Sequence, residues 1–144
     1  MTENRRRKRP LSVTVLLLIV VWVTIHNGVR FGSAIAAWST LREFASPPGP
    51  LYIALTGLFW TLAGWPVAYG LYLGRRWARG VTAIAVVLYA AYYWLDRLFV
   101  QSGGLRPNWP FALAITAYML GLTVEALVLP GNASFFAERE HHER

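Results

Sequence analysis

Leu51-Tyr52-Ile53-Ala54-Leu55-Thr56-Gly57-Leu58-Phe59-Trp60-Thr61-Leu62-Ala63-Gly64-Trp65-Pro66-Val67-Ala68-Tyr69-Gly70-Leu71-Tyr72-Leu73 carries no charged residue, and Gly74-Arg75-Arg76-Trp77-Ala78-Arg79-Gly80 follows at once. About 20 apolar residues cross a hydrocarbon core as an α-helix. A basic cluster at the end of such a run marks the cytoplasmic side. The stretch therefore reads as a transmembrane helix that leaves the bilayer into a tight cytoplasmic turn. Pro66 within it removes one backbone donor and predicts a kink.

The same reading extends in both directions. Upstream, Arg5, Arg6, Arg7, Lys8 and Arg9 precede a run from Leu11 that is free of charge through Val29. His26, Asn27 and Arg30 separate its apolar part from the small residues Ala34 and Ala36, which favours a retained span over a cleaved leader. Beyond Arg30, the residues Phe31, Ala34, Ile35, Trp38 and Leu41 recur at helical spacing. The first helix is thus expected to run to about Phe44, beyond the membrane, until Ser46-Pro47-Pro48-Gly49-Pro50 stops it. Such a helix is about 50 Å long, so it must tilt, bend along the interface or project. Downstream, Val81 to Val100 and Trp109 to Leu129 form two more runs, separated by a loop with Gly103, Gly104 and Pro107 and closed by Pro130-Gly131.

The expected architecture is all-α, a four-helix transmembrane bundle with spans at about 11–44, 51–73, 80–101 and 109–130. Residues 1–10 form a basic cytoplasmic N-terminal tail, 11–130 the membrane domain, and 131–144 a polar cytoplasmic C-terminal tail. With the N-terminus inside, ten cations lie on the cytoplasmic side: Arg5, Arg6, Arg7, Lys8, Arg9, Arg75, Arg76, Arg79, Arg139 and Arg144. Only Arg30, Arg42, Arg97 and Arg106 lie on the other. This positive-inside bias predicts an N-in, C-in orientation. Lys8 is the only lysine and arginine supplies the other cations, a composition that fits a GC-rich bacterial genome, so the expected location is a bacterial inner membrane.

Composition agrees. Of 144 residues, 56% are hydrophobic and 15% charged, against about 25% charged in soluble domains. The net charge of +7 lies in short blocks beside apolar runs and forms no basic face, which speaks against nucleic acid. The expected partners are the lipid bilayer and other membrane proteins or a second copy of the chain.

Polar residues at membrane depth are the candidate functional groups. Counted at about 1.5 Å per residue, His26, Arg30 and Asp96 share the outer half of the bilayer. His26 and Arg30 are four apart on one helix face, and an Arg30–Asp96 approach between spans one and three is expected. His26, Asn27, Arg30 and Asp96 read either as a polar, ligand-binding pocket or as interhelical glue and snorkelling to the headgroups. A local surface pair of Asp96 with Arg97 is a further alternative. Tyr89, Tyr92 and Asp96 share a face, which fits either a wall for an organic cation or bundle packing. At the inner surface Arg75, Arg76, Arg79 and Glu125 form a charge cluster, with Glu125 either neutralised by the basic turn or acting as a coupling carboxylate. Gly28/Gly32 and Gly70/Gly74 fit the small-xxx-small pattern of close helix approach.

Much chemistry is excluded. The chain has no cysteine, hence no disulfide, iron–sulfur or thiolate metal site. His26 alone of the three histidines lies in a span, too few to ligate haem there, and His141-His142 lies in an acidic tail without further ligands. Neither a phosphate-binding glycine loop nor a Gly-x-Ser-x-Gly turn occurs. No cofactor or metal is expected.

Asn27 to Arg30, the leader Leu51-Tyr52-Ile53-Ala54-Leu55-Thr56-Gly57 and the turn Gly74-Arg75-Arg76-Trp77-Ala78 resemble those of small four-span bacterial integral membrane proteins of uncharacterised function. That resemblance implies a fold and a location, not an activity. In size and span number the chain is also similar to small multidrug-resistance transporters, but their membrane-embedded glutamate lies in the first span, where this chain has no acid. The functional expectation is a non-enzymatic accessory or structural membrane component. The alternative is a small-solute or ion binding or transport protein acting as an oligomer.

Overall fold

A computed structural model describes residues 9–44, 49–100 and 107–137. They are helical, with no strand among the described residues. The elements are α1 (Leu11–Ala36), α2 (Trp38–Phe44), α3 (Gly49–Leu73), α4 (Arg76–Leu95) with a π-helical continuation at Asp96–Val100, α5 (Trp109–Val128) and α6 (Pro130–Ala137). Four helices are long and apolar enough to cross a membrane: α1, α3, α4 with its π-helical end, and α5. The chain is a multi-pass membrane protein on this ground.

The helix expected over 11–44 breaks at Ala37. Its φ of −99° and ψ of 23° leave the helical region, and its N–H still bonds the Ser33 carbonyl. α1 then measures about 39 Å, enough for a tilted crossing. α2 buries none of its residues and lies against α3. The expected kinking residue Pro66 does lie inside α3, on its exposed side.

The α3–α4 hairpin is the tightest connection. Gly74 adopts φ +66°, its N–H bonds Leu71 O at 3.2 Å, and Arg75 N–H bonds Gly70 O at 3.0 Å. This pair of bonds is a Schellman cap, and glycine fits its left-handed position without penalty. α4 begins at Arg76, inside the basic segment read as a turn.

α1 packs along α3, α3 against α4, α4 against α5, and α5 back against α1. The closest contact, between α1 and α3, depends on two glycines. A Cβ at Gly57 would sit 2.9 Å from the backbone nitrogen of Phe31, and one at Gly64 would sit 2.0 Å from Thr24 Oγ1. Of the pairs expected to allow close approach, Gly70 and Gly74 do so, where a Cβ would sit 2.7 Å from Trp77 and 2.9 Å from Phe135; a Cβ at Gly28 would meet Thr61 at an ordinary 3.6 Å, and one at Gly32 nothing within 4 Å.

At the end that carries Arg75, one apolar cluster joins α1, α3, α5 and α6 through residues such as Leu16, Leu71, Ala126 and Phe136. Part of the stretch read as a C-terminal tail therefore belongs to the core. Phe136 is 1% exposed, and Asn132 Nδ2 donates to Ser12 Oγ and to the Glu125 carbonyl, each at 2.9 Å. Pro130 does not end the helical chain; it opens α6, since a proline suits a first helical turn. Residues 1–8 and 138–144 of the expected tails lie outside the described residues.

Candidate functional site

The far end of the bundle, marked by Asp96, collects polar groups from three helices. Asn27 on α1 is 1% exposed; its Nδ2 donates to the Val23 carbonyl at 2.9 Å and to the Tyr89 hydroxyl on α4 at 3.4 Å. One turn on, Arg30 donates to the Tyr92 hydroxyl at 2.9 Å. From α3, Tyr52 donates its hydroxyl to Asp96 Oδ1 at 2.5 Å. Arg30 and Asp96 are thus each held by a tyrosine hydroxyl, Tyr92 and Tyr52 respectively. An anion and a cation at this depth are costly alone, and two tyrosines share the load.

Behind the hydroxyls the rings form one apolar block. Trp60, only 9% exposed, meets Tyr89 edge-on at 4.8 Å and Tyr92 at 5.5 Å between ring centroids. Tyr89 and Tyr92 therefore pack on tryptophan with their hydroxyls engaged.

The π-helical turn sends neighbouring residues to different helices. Asp96 meets α3, whereas Arg97 donates to the Tyr93 hydroxyl at 3.2 Å and to Asn108 Oδ1 at the start of α5. Both are buried, at 7% and 5% exposure, so they are not a surface pair. π-turns widen a helix locally and recur at functional sites. The Arg97 Nε has no hydrogen-bond partner among the described residues.

The remaining sequence candidates separate. His26 is exposed on the α1 side that also carries Ile25 and Val29, away from buried Asn27. At the opposite end, Arg79 Nε donates to the Leu127 carbonyl at 2.9 Å, serving one of the open carbonyls at the end of α5. Arg75 occupies the N-cap position of α4 without a side-chain capping bond, and Arg76 is the first residue of the helix. The Glu125 side chain is exposed, and its backbone carbonyl binds α6. No group of three His, Asp or Glu residues able to hold a metal occurs among the described residues.

Sequence reasoning missed Tyr52, Trp60, Tyr93 and Asn108. A signal for Tyr52 existed: it stands one turn into its span, at the height of Asp96. Nothing local marks Asn108, because its role depends on Arg97 turning toward α5.

Beside this network lies a cleft of about 500 Å³, walled by α1, α3, α4 and α5. Its walls are mainly aliphatic and aromatic, with Val23, Trp60, Ala90, Phe111, Ile115 and Met119 among them. The polar residues in the lining are engaged within the protein: Thr24 with Val20, Tyr89 with Asn27, Tyr93 and Asn108 with Arg97, and Thr116 with Ala112. The edge residues Trp22 and Phe111 are 70% and 68% exposed.

Comparison with protein-family models, curated proteins and solved structures returns no match.

Proposed function

We propose that the chain is a non-enzymatic accessory component of a cell membrane, oriented N-in and C-in, that holds an apolar membrane-borne partner in the cleft at its Asp96 end. One observation carries this reading: the cleft is apolar, while the ionisable groups beside it are engaged by neutral side chains. Buried ionisable groups that mark a solute path line a wet cavity. Here Arg30, Asp96 and Arg97 are bound by tyrosine and asparagine side chains, and the cleft wall is hydrocarbon. A pocket of this volume with few polar groups suits a hydrophobic ligand.

The absence of cysteine permits a clean test. A nitroxide placed at Ile115→Cys, in the cleft, is compared with one at Tyr118→Cys on the exposed side of α5. Oxygen, which partitions into hydrocarbon, should relax both labels, and a water-soluble nickel chelate should reach neither. Strong relaxation of the Ile115→Cys label by the chelate would mean a wet cleft, and the accessory reading would yield to solute passage. Orientation is checked by reporter fusions: one active only outside the cytoplasm should be silent after Arg144 and active near Pro48.

A further inference from the structure

We propose that the cleft takes one acyl chain of an anionic phospholipid, with the phosphate at Arg97. This rests on the reading of the cleft as an apolar binding site and names its occupant. Three observations converge. The first is size. Along α5 the lining runs from Asn108 to Leu120, about 18 Å at 1.5 Å per residue. That is close to half of a hydrocarbon core of about 30 Å, so the cleft is as deep as one leaflet. Spread over this length, the cleft is a channel about 9 Å between its walls once the radius of a water-sized sphere is added on each side. An α-helix with side chains is about 10–12 Å across and must run the whole membrane, so a partner helix does not enter it whole. An alkyl chain does.

The second observation is access. Trp22 on α1 and Phe111 on α5 flank the cleft and are largely exposed, so it opens sideways into the bilayer. A lipid enters by lateral diffusion without leaving the membrane. The third is charge. Arg97 is 5% exposed, and both of its acceptors, Tyr93 and Asn108, line the cleft at the end nearest the headgroups. A guanidinium offers five N–H donors. Its two partners among the described residues are neutral, so a phosphate at the cleft end beside Tyr93 and Asn108 supplies the negative charge that this buried cation favours. The Asp96 carboxylate, by contrast, accepts from Tyr52 on the α3 side.

Native mass spectrometry of the full chain in mild detergent tests this. It is titrated with dipalmitoyl phosphatidylglycerol, with dipalmitoyl phosphatidylcholine and with inorganic phosphate. The wild type should retain one phosphatidylglycerol about tenfold more tightly than phosphatidylcholine, and retain no phosphate, since a charge-assisted hydrogen bond is worth about that factor. Arg97→Gln should abolish the preference, and Arg97→Lys, which keeps the charge if the glutamine variant does not fold, should keep part of it. Ala90→Phe, which fills the cleft, should weaken both lipids about equally. Equal affinity for the two lipids in the wild type would overturn the proposal. So would a preference that survives Arg97→Gln, retention unaffected by Ala90→Phe, phosphate bound as well as lipid, or a polypeptide seated in the cleft in place of lipid. Equal lipid affinities together with a chelate-inaccessible Ile115→Cys label would sink this inference alone and leave the apolar cleft standing.

Discussion

Tyr52→Phe is the sharpest probe of how the bundle tolerates Asp96. The substitution deletes one hydroxyl and leaves the ring. That hydroxyl donates to a carboxylate that is 7% exposed, at 2.5 Å. A hydrogen bond to a charged group contributes about 1.5–3 kcal/mol. Hydrogen bonds between membrane helices average nearer 0.6 kcal/mol, because the unfolded chain in lipid also finds partners. The charge on Asp96 argues for the upper range, so a loss of about 2 kcal/mol is expected. In an Asp96→Asn background the bond becomes neutral, and the same substitution should cost about 1 kcal/mol or less. The coupling is then about 1 kcal/mol, measured as a double-mutant cycle by reversible unfolding in mixed micelles. A parallel cycle of Arg30→Gln with Asp96→Asn should show weaker coupling, because each charge is bonded by its own tyrosine, Arg30 by Tyr92 and Asp96 by Tyr52. Equal losses for Tyr52→Phe in both backgrounds would refute a charge-assisted bond. Stronger coupling of Arg30 than of Tyr52 to Asp96 would mean that the charges meet directly.

Three further outcomes are expected, each read by the same unfolding assay. Gly64→Ala drives a methyl into Thr24 and should destabilise by about 1–3 kcal/mol, with Thr24→Ala recovering most of the loss in the double variant; additive losses would mean that the helices slide apart. Thr82 is fully buried and its Oγ1 has no hydrogen-bond partner among the described residues, so the isosteric Thr82→Val should stabilise by about 1 kcal/mol; a loss of stability would reveal a partner for that hydroxyl. Phe136→Ala empties a site 1% exposed in the apolar cluster and should cost about 3 kcal/mol, whereas an unchanged transition would show that α6 is not docked.

Sequence alone determined the four long apolar helices, because crossing hydrocarbon imposes a length and an apolarity that can be counted residue by residue, but not the break at Ala37 or the start of a helix at Pro130. The tight turn at Gly74 follows from the same one-dimensional bookkeeping. So did the exclusion of thiol and haem chemistry, which needs only an inventory of residues. Tertiary structure decided what each polar group does. Facing apart on adjacent positions, Asp96 and Arg97 serve α3 and α5 because a π-turn, invisible in residue type, changes their angle. His26 and Asn27 are neighbours in sequence, yet one meets the bilayer side and the other Tyr89. Between α1 and α3 the contact glycines are Gly57 and Gly64 and not Gly28/Gly32, since which glycine faces a neighbour depends on helix rotation, and lipid exerts no amphipathic pressure to encode it. For the same reason the cleft was illegible: residues that face lipid and residues that line the cleft are equally apolar, and only the spatial arrangement of α1, α3, α4 and α5 around it tells them apart.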